Sequence, residues 1–172
     1  MITRRHDSGD TCAVAVYSDC EAYRYALTRV WDPAGRRLHF IMLNPSTATE
    51  ARNDPTLARC ERRARILGFG ALRVSNIFAW RETDPELLRK QSDPVGQDND
   101  AALLAGVDWA DQTICAWGTH GAHLGRGDQV RALLHTTGQP LFHLGRTRAG
   151  APRHPLYISY DTMPEPWIEL SE

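Results

Sequence analysis

The chain has 172 residues, 42% hydrophobic and 24% charged, with 20 Lys+Arg against 21 Asp+Glu. That length suits one domain spanning residues 1–172, because a domain takes roughly 100–200 residues, and the composition excludes a wholly disordered chain. The net charge of −1 excludes a globally basic nucleic-acid binder. No apolar run nears the roughly 18 residues of a membrane helix, and Met1 to Asp7 lacks an apolar signal core, so a cytoplasmic protein with no membrane partner is expected.

Tyr23 to Trp31, the turn Asp32-Pro33-Ala34-Gly35 and the apolar run Leu38 to Leu43 predict a β-hairpin near the N-terminus, with a buried second arm. Pro45 ends that strand, since it has no N–H for a ladder. A helix is predicted from Asp54-Pro55 to Leu67, with Asp54 as N-cap, Pro55 in the first turn, and Leu57, Cys60, Ala64 and Leu67 on one face. Leu72 to Phe78 reads as a strand. Ala101 to Val107 reads as a helix capped near Asn99 or Asp100. Thr113 to Trp117 reads as a strand closed by Gly118. Gln129 to Leu134 reads as a helix, and Leu141 to Leu144 as a strand closed by Gly145. Asp161 to Trp167 reads as an extended strap anchored by Trp167. Strands alternating with helices imply a mostly parallel sheet wrapped by helices, a three-layer α/β/α arrangement.

Cys12, Cys20, Cys60 and Cys115 are scattered without a Cys-x-x-Cys pair, which indicates neither a disulfide framework nor a structural zinc. His120 and His123 have helical metal spacing but no third ligand nearby, so no metal and no cofactor is expected. Of the basic residues 19 are Arg and only Lys90 is Lys. Arg is the better partner for phosphate forks. One Arg cluster surrounds Arg52 to Arg73, and another comprises Arg146, Arg148 and Arg153. Solvated helix faces account for such clusters equally well.

In open α/β sheets, ligands bind beyond the carboxyl ends of the strands. The residues there are Asn44-Pro45-Ser46-Thr47, Asn76-Ile77-Phe78, Trp117-Gly118-Thr119-His120 and Arg153-His154-Pro155-Leu156. The set has no nucleophile elbow, no phosphate loop and no dinucleotide fingerprint. It offers Asn amides, which present a donor beside an acceptor and so suit a nucleobase edge, and a His able to donate to developing negative charge.

Met42-Leu43-Asn44-Pro45-Ser46, Ser75-Asn76, Trp117-Gly118 and His154-Pro155-Leu156, in that order, resemble the motifs of the uracil-DNA glycosylase superfamily. From about Tyr23 to Trp167 the chain looks closer still to a domain of unknown function from bacteria and phage, through Asn-Pro-Ser-Thr-Ala, Asn-Asp-Pro-Thr and Pro-Arg-His-Pro-Leu-Tyr. The glycosylase resemblance implies a uracil-DNA glycosylase-like fold and a monomeric DNA N-glycosylase that flips a damaged or modified pyrimidine, in repair or in defence against phage with modified DNA. It implies that Asn44 and His154 are catalytic, Asn44 orienting the water and His154 stabilising the departing base, while Asn76 reads the base edge. Phe78, Trp80 and Trp117 are candidates to stack on the base. Ser46, Thr47, Arg52, Arg146, Arg148, Arg153, Leu156 and Tyr157 are candidate nucleic-acid contacts, Leu156 or Tyr157 filling the gap left in the duplex. The first motif lacks the Asp of the most active branch, and the late motif is His-Pro-Leu-Tyr rather than His-Pro-Ser-Pro. A non-catalytic nucleobase-binding module and a hydrolase or transferase of free nucleosides remain open alternatives.

Overall fold

The computed structural model describes residues 1–168. Its strands are β1 (Ile2–Ser8), β2 (Thr11–Tyr17), β3 (Arg24–Val30), β4 (Arg37–Met42), β5 (Ala71–Asn76), β6 (Gln112–Cys115), β7 (Leu141–His143) and β8 (Glu165–Pro166). They form one sheet in the order β1-β2-β3-β5-β4-β6-β7-β8. Four pairings are antiparallel, β1–β2, β2–β3, β3–β5 and β7–β8. Three are parallel, β5–β4, β4–β6 and β6–β7.

The expected mostly parallel, uracil-DNA glycosylase-like α/β/α sandwich is therefore corrected to a mixed, mostly antiparallel sheet with few helices. Two strands account for much of the difference. β1 is polar and exposed along nearly its whole length, and β2 alternates small residues, half-buried and buried. β1 carries no run of bulky β-branched or aromatic residues to mark a strand in sequence, whereas β2 does offer Val14, Val16 and Tyr17, and the strands expected from sequence begin only at Tyr23. The hairpin is also corrected. β3 and β4 do not pair; β5 lies between them, and after β3 the Trp31 and Asp32 N–H groups donate to the Gly70 carbonyl at 3.0 and 2.9 Å. The N-terminal hairpin is instead β1–β2, turned at Gly9 with φ 60°.

The helices are α1 (Pro55–Ile66), α2 (Pro85–Lys90), α3 (Asn99–Trp109) and α4 (Arg126–His135), with a 3₁₀ segment at Thr119–Gly125. α1 begins as its sequence dictates: Asp54 accepts from the Leu57 N–H at 2.8 Å and Pro55 occupies the first turn. Successive β4 side chains go to opposite faces. Phe40 and Met42 join Leu57, Cys60 and Ala64 of α1 in one cluster, while Ile41 and Leu43 join Leu103, Val107, Val130 and Leu134 of α3 and α4 in another. Each such fully buried aliphatic or aromatic side chain contributes about 1.5–3 kcal/mol.

The parallel block β5-β4-β6-β7 positions the site. Its strands all end at one edge, and the chain leaves β4 toward β5 on one side before crossing to β6 on the other. The turns after β4, β5 and β6 therefore meet at a switch in strand order, where a crevice opens.

Candidate functional site

Asn76 is the last residue of β5, and the chain keeps its place beside β4 for two more residues: Ile77 N–H donates to the Met42 carbonyl and Phe78 N–H to the Leu43 carbonyl, both at 2.9 Å. From α3, Asn99 donates its amide to the Asn76 and Ile77 carbonyls at 2.9 and 3.1 Å. From α4, Arg126 Nε donates to the Ile77 carbonyl at 2.8 Å while its Nη2 pairs with Asp100 at 2.5 Å. The backbone at Asn76 is thus held from three sides. Its side chain is 1% exposed, and neither Nδ2 nor Oδ1 has a hydrogen-bond partner. Buried amides are almost always paired.

Asn76 lines a cavity of about 420 Å³, within the roughly 300–1,000 Å³ typical of small-molecule pockets. Asn44, Ser46, His154 and Leu156 line the same cavity. Asn44 Nδ2 is spent on the Glu82 carbonyl at 2.6 Å and the Pro45 carbonyl at 3.2 Å, which leaves its Oδ1 as an acceptor. His154 Nδ1 accepts the Leu156 N–H at 3.3 Å, so in the neutral ring the proton sits on Nε2. Burial pushes the His154 imidazole below its ordinary value, an effect the Asp54 carboxylate partly opposes. Near neutral pH His154 is therefore an uncharged donor.

The loop carrying His154 is fixed by the end of β6 and by α1. Gly118, with φ +72°, donates its N–H to the Pro152 carbonyl at 2.8 Å, and a Cβ there would lie 3.5 Å from that of His154. A larger residue at Gly118 is strained by that φ. Beyond His154, Arg59 and Arg63 of α1 donate to the Ile158 carbonyl at 2.6 and 3.0 Å.

The wall also includes charged and polar residues to which the sequence assigns no role in a site, among them Arg24, Asp54, Glu82 and Thr83. Asp54 belongs to the Asn-Asp-Pro-Thr motif, but the role the sequence gives it is that of a helix cap. It is that cap, and it also brings a carboxylate to the cavity. Among the described residues no group of three His, Cys, Asp or Glu could hold a metal ion. His120 lines the cavity beside Arg89, whereas His123 packs against Phe78, their ring centroids 5.6 Å apart.

The aromatic candidates lie elsewhere. Phe78 is fully buried in the α3–α4 core. Trp80 packs edge-on to Tyr23, centroids 5.3 Å apart. Trp117 and Arg146 line a separate cavity of about 270 Å³ with Trp167. None of the three aromatics lines the cavity that holds Asn76. Thr47, Arg52, Arg148 and Arg153 are exposed and outside the cavity wall. Tyr157 follows Leu156 at 89% exposure with φ 71°.

A family model described as "Protein of unknown function (DUF1643)" matches residues 24–156, well over half the chain. The chain belongs to the DUF1643 family. No curated protein and no solved structure matches it. The expected kinship with the uracil-DNA glycosylase superfamily has no support from these comparisons, and the mixed sheet departs from that fold. The DUF1643 match begins at Arg24 and ends at Leu156, both residues of the cavity wall.

Proposed function

We propose that the cavity takes a nucleobase and that the protein hydrolyses its N-glycosidic bond, with damaged or modified DNA as the substrate. The observation that carries this reading is the Asn76 amide, buried at the cavity wall with donor and acceptor both unspent. A donor beside an acceptor complements the N–H and carbonyl edge of a pyrimidine. Leaving such a group buried and unpaired costs about 1–3 kcal/mol, which a base edge recovers on binding.

The chemistry follows from the other walls. The C1′–N bond breaks with its electron pair leaving on the base. His154 Nε2–H donates to the base oxygen on which that charge collects, as a neutral donor should. Asn44 Oδ1 accepts from a water and orients its oxygen toward C1′. Asp54 supplies negative charge where the sugar becomes oxocarbenium-like and takes up the proton the water sheds as the C1′–O bond forms. The exposed, left-handed Tyr157 favours a polymeric substrate: an unpacked aromatic ring next to the cavity loop is suited to stacking in the gap that a flipped base leaves.

The test incubates the protein with duplex and single-stranded DNA carrying a panel of modified bases, and with the matching free nucleosides, and detects released base by mass spectrometry. Base release from DNA, reduced about 100-fold or more by His154→Ala and by Asn76→Leu, is expected. Tight binding without release supports a binding module instead. Release only from monomers supports a nucleoside hydrolase. Full activity in both variants overturns the site.

A further inference from the structure

Arg24 opens β3 at the cavity wall and is 3% exposed. The other buried arginines are spent on the fold. Arg29 pairs with Glu61 at 2.8 Å, Arg126 with Asp100 and the Ile77 carbonyl, and Arg63 reaches three backbone carbonyls. Arg24 makes one side-chain hydrogen bond, from Nη1 to the Ala48 carbonyl at 2.8 Å, and no ion pair among the described residues. Its Nε is buried with no partner. What remains is the Nε–Nη2 edge, the side of a guanidinium that grips two oxygens of one phosphate or carboxylate.

The carboxylates of the same cavity do not satisfy that edge. Asp54 accepts the Leu57 and Ala48 N–H groups at 2.8 and 3.3 Å, and Glu82 accepts those of Thr83 and Asp84 at 2.8 and 3.0 Å. Neither is hydrogen-bonded to Arg24, and the charge of Asp54 offsets only part of the effect of burying the guanidinium. A cation removed from water without a partner is a net cost to the fold, and an arriving anion reverses it. Burial already pulls the Arg24 guanidinium down to about 10, still well above neutral pH, so it stays charged.

We infer that Arg24 is an anion subsite of this cavity and that its Nε–Nη2 edge holds the phosphate of a nucleotide whose base lies against Asn76. The inference rests on the nucleobase reading above and narrows it: the ligand is phosphorylated, and the phosphate is bound inside the cavity rather than on an outer basic face. The phosphate can belong to a free nucleoside monophosphate or to a strand, and the experiment separates the two.

The test is NMR of the full chain labelled with ¹⁵N, following the Arg24 Nε–H and Asn76 Nδ2–H₂ resonances. The titrants are inorganic phosphate, the common deoxynucleosides, their 5′-monophosphates, and a short single-stranded oligonucleotide. The monophosphates are expected to move both resonances and to bind about 10–100-fold more tightly than the nucleosides. Arg24→Gln removes that difference, and Arg24→Lys, which keeps the charge without the fork, restores it only in part. Response to the oligonucleotide, with or without the monophosphates, assigns the phosphate to a strand; response to the monophosphates with none to the oligonucleotide assigns it to a free nucleotide. An Arg24 resonance unmoved by every phosphorylated titrant overturns the subsite, even if nucleosides move Asn76. Movement of Arg24 by phosphate with Asn76 unmoved by any base keeps the subsite and overturns the nucleobase reading. The wild-type titrations decide both points without any variant.

Discussion

Asn99 and Asn76, 23 residues apart, are bound in one direction only: the Asn99 amide donates to the Asn76 carbonyl at 2.9 Å, while the Asn76 side chain bonds to nothing in the protein. The fold fixes the backbone and leaves the amide unspent. Asn99→Ala strands the Asn76 carbonyl and costs about 1–3 kcal/mol. Asn99→Asp costs more, since an ionised carboxylate has no hydrogen to give and faces two carbonyl oxygens. Urea unfolding of the two variants checks the order, and Asn99→Asp being the more stable overturns this role.

Asn76→Leu has the opposite signature. The replacement keeps the branched shape and the number of heavy atoms, its extra bulk having the adjoining cavity to enter, and removes two unpaired polar atoms, so stability stays level or rises by up to about 2 kcal/mol, while ligand binding is lost. A raised thermal midpoint together with lost base release is the expected pair of results. A strongly destabilised Asn76→Leu would mean that the amide serves the fold.

The sequence made the parallel block legible because its strands are apolar runs ended by Asn-Pro, Asn, Gly or Gly. It made α1 legible because Asp54-Pro55 is a start signal that no neighbour contradicts. The residues just past β4 and β5 and the late His-Pro-Leu segment follow from that edge, and Asn44, Asn76 and His154 do share one cavity. What the sequence hid was long-range pairing. Nothing near Asp32 to Gly35 announces that β5 slips between β3 and β4, since the partner lies some forty residues on. Arg24 and Asp54 were illegible for a different reason. An Arg in a strand reads as a solvated edge and an Asp before Pro reads as a cap, and only the packing shows that both also face the cavity. The aromatic residues misled because Phe78 and Trp117 sit at strand ends yet turn into the core beneath.

His39 governs the response to acid. It is fully buried on β4 with both ring nitrogens unpartnered, against Gly106, where a Cβ would fall 2.3 Å from its ring. Burial, helped by Arg73, pushes its pKa down to about 3 from 6.5. The unfolded chain therefore binds the proton that the folded chain refuses, and stability falls as pH drops below 6.5, by up to about 1.4 kcal/mol per pH unit from this residue. His143 and His154, also pushed down by burial, add in the same direction. Denaturation midpoints measured from pH 7 to 4 should fall in the wild type and fall less in His39→Leu. Equal slopes would discount His39.

Tyr157 tests whether the polymer matters. With φ 71° and 89% exposure it carries backbone strain for a ring that packs on little of the protein. Tyr157→Gly relieves the strain, so stability rises by about 1 kcal/mol or holds. If the ring fills the gap beside a flipped base, the same change lowers duplex binding about tenfold while leaving monomer binding untouched. Fluorescence anisotropy with duplex and single nucleotides measures both arms, and an unchanged duplex affinity removes Tyr157 from the interface.

Arg63 ties the segment after His154 to α1 at a distance. It is 1% exposed on α1 and donates to the carbonyls of Thr162, Ile158 and Ser159 at 2.9, 3.0 and 2.9 Å. Tyr160 lies among Arg59, Arg62 and Arg63, ring centroid 4.6, 4.7 and 5.4 Å from their guanidinium carbons. Arg63→Met deprives the Thr162 and Ser159 carbonyls of this donor, while Ile158 keeps Arg59, and costs about 3 kcal/mol, charge-assisted bonds being the stronger kind. The loss is local: amide exchange should accelerate across residues 155–162 more than at the β4 amides behind α1. Since His154 sits where that segment begins, activity should fall although Arg63 does not line the cavity. Uniform acceleration through β4 and β5 would show instead that Arg63 stabilises the whole fold rather than this strap.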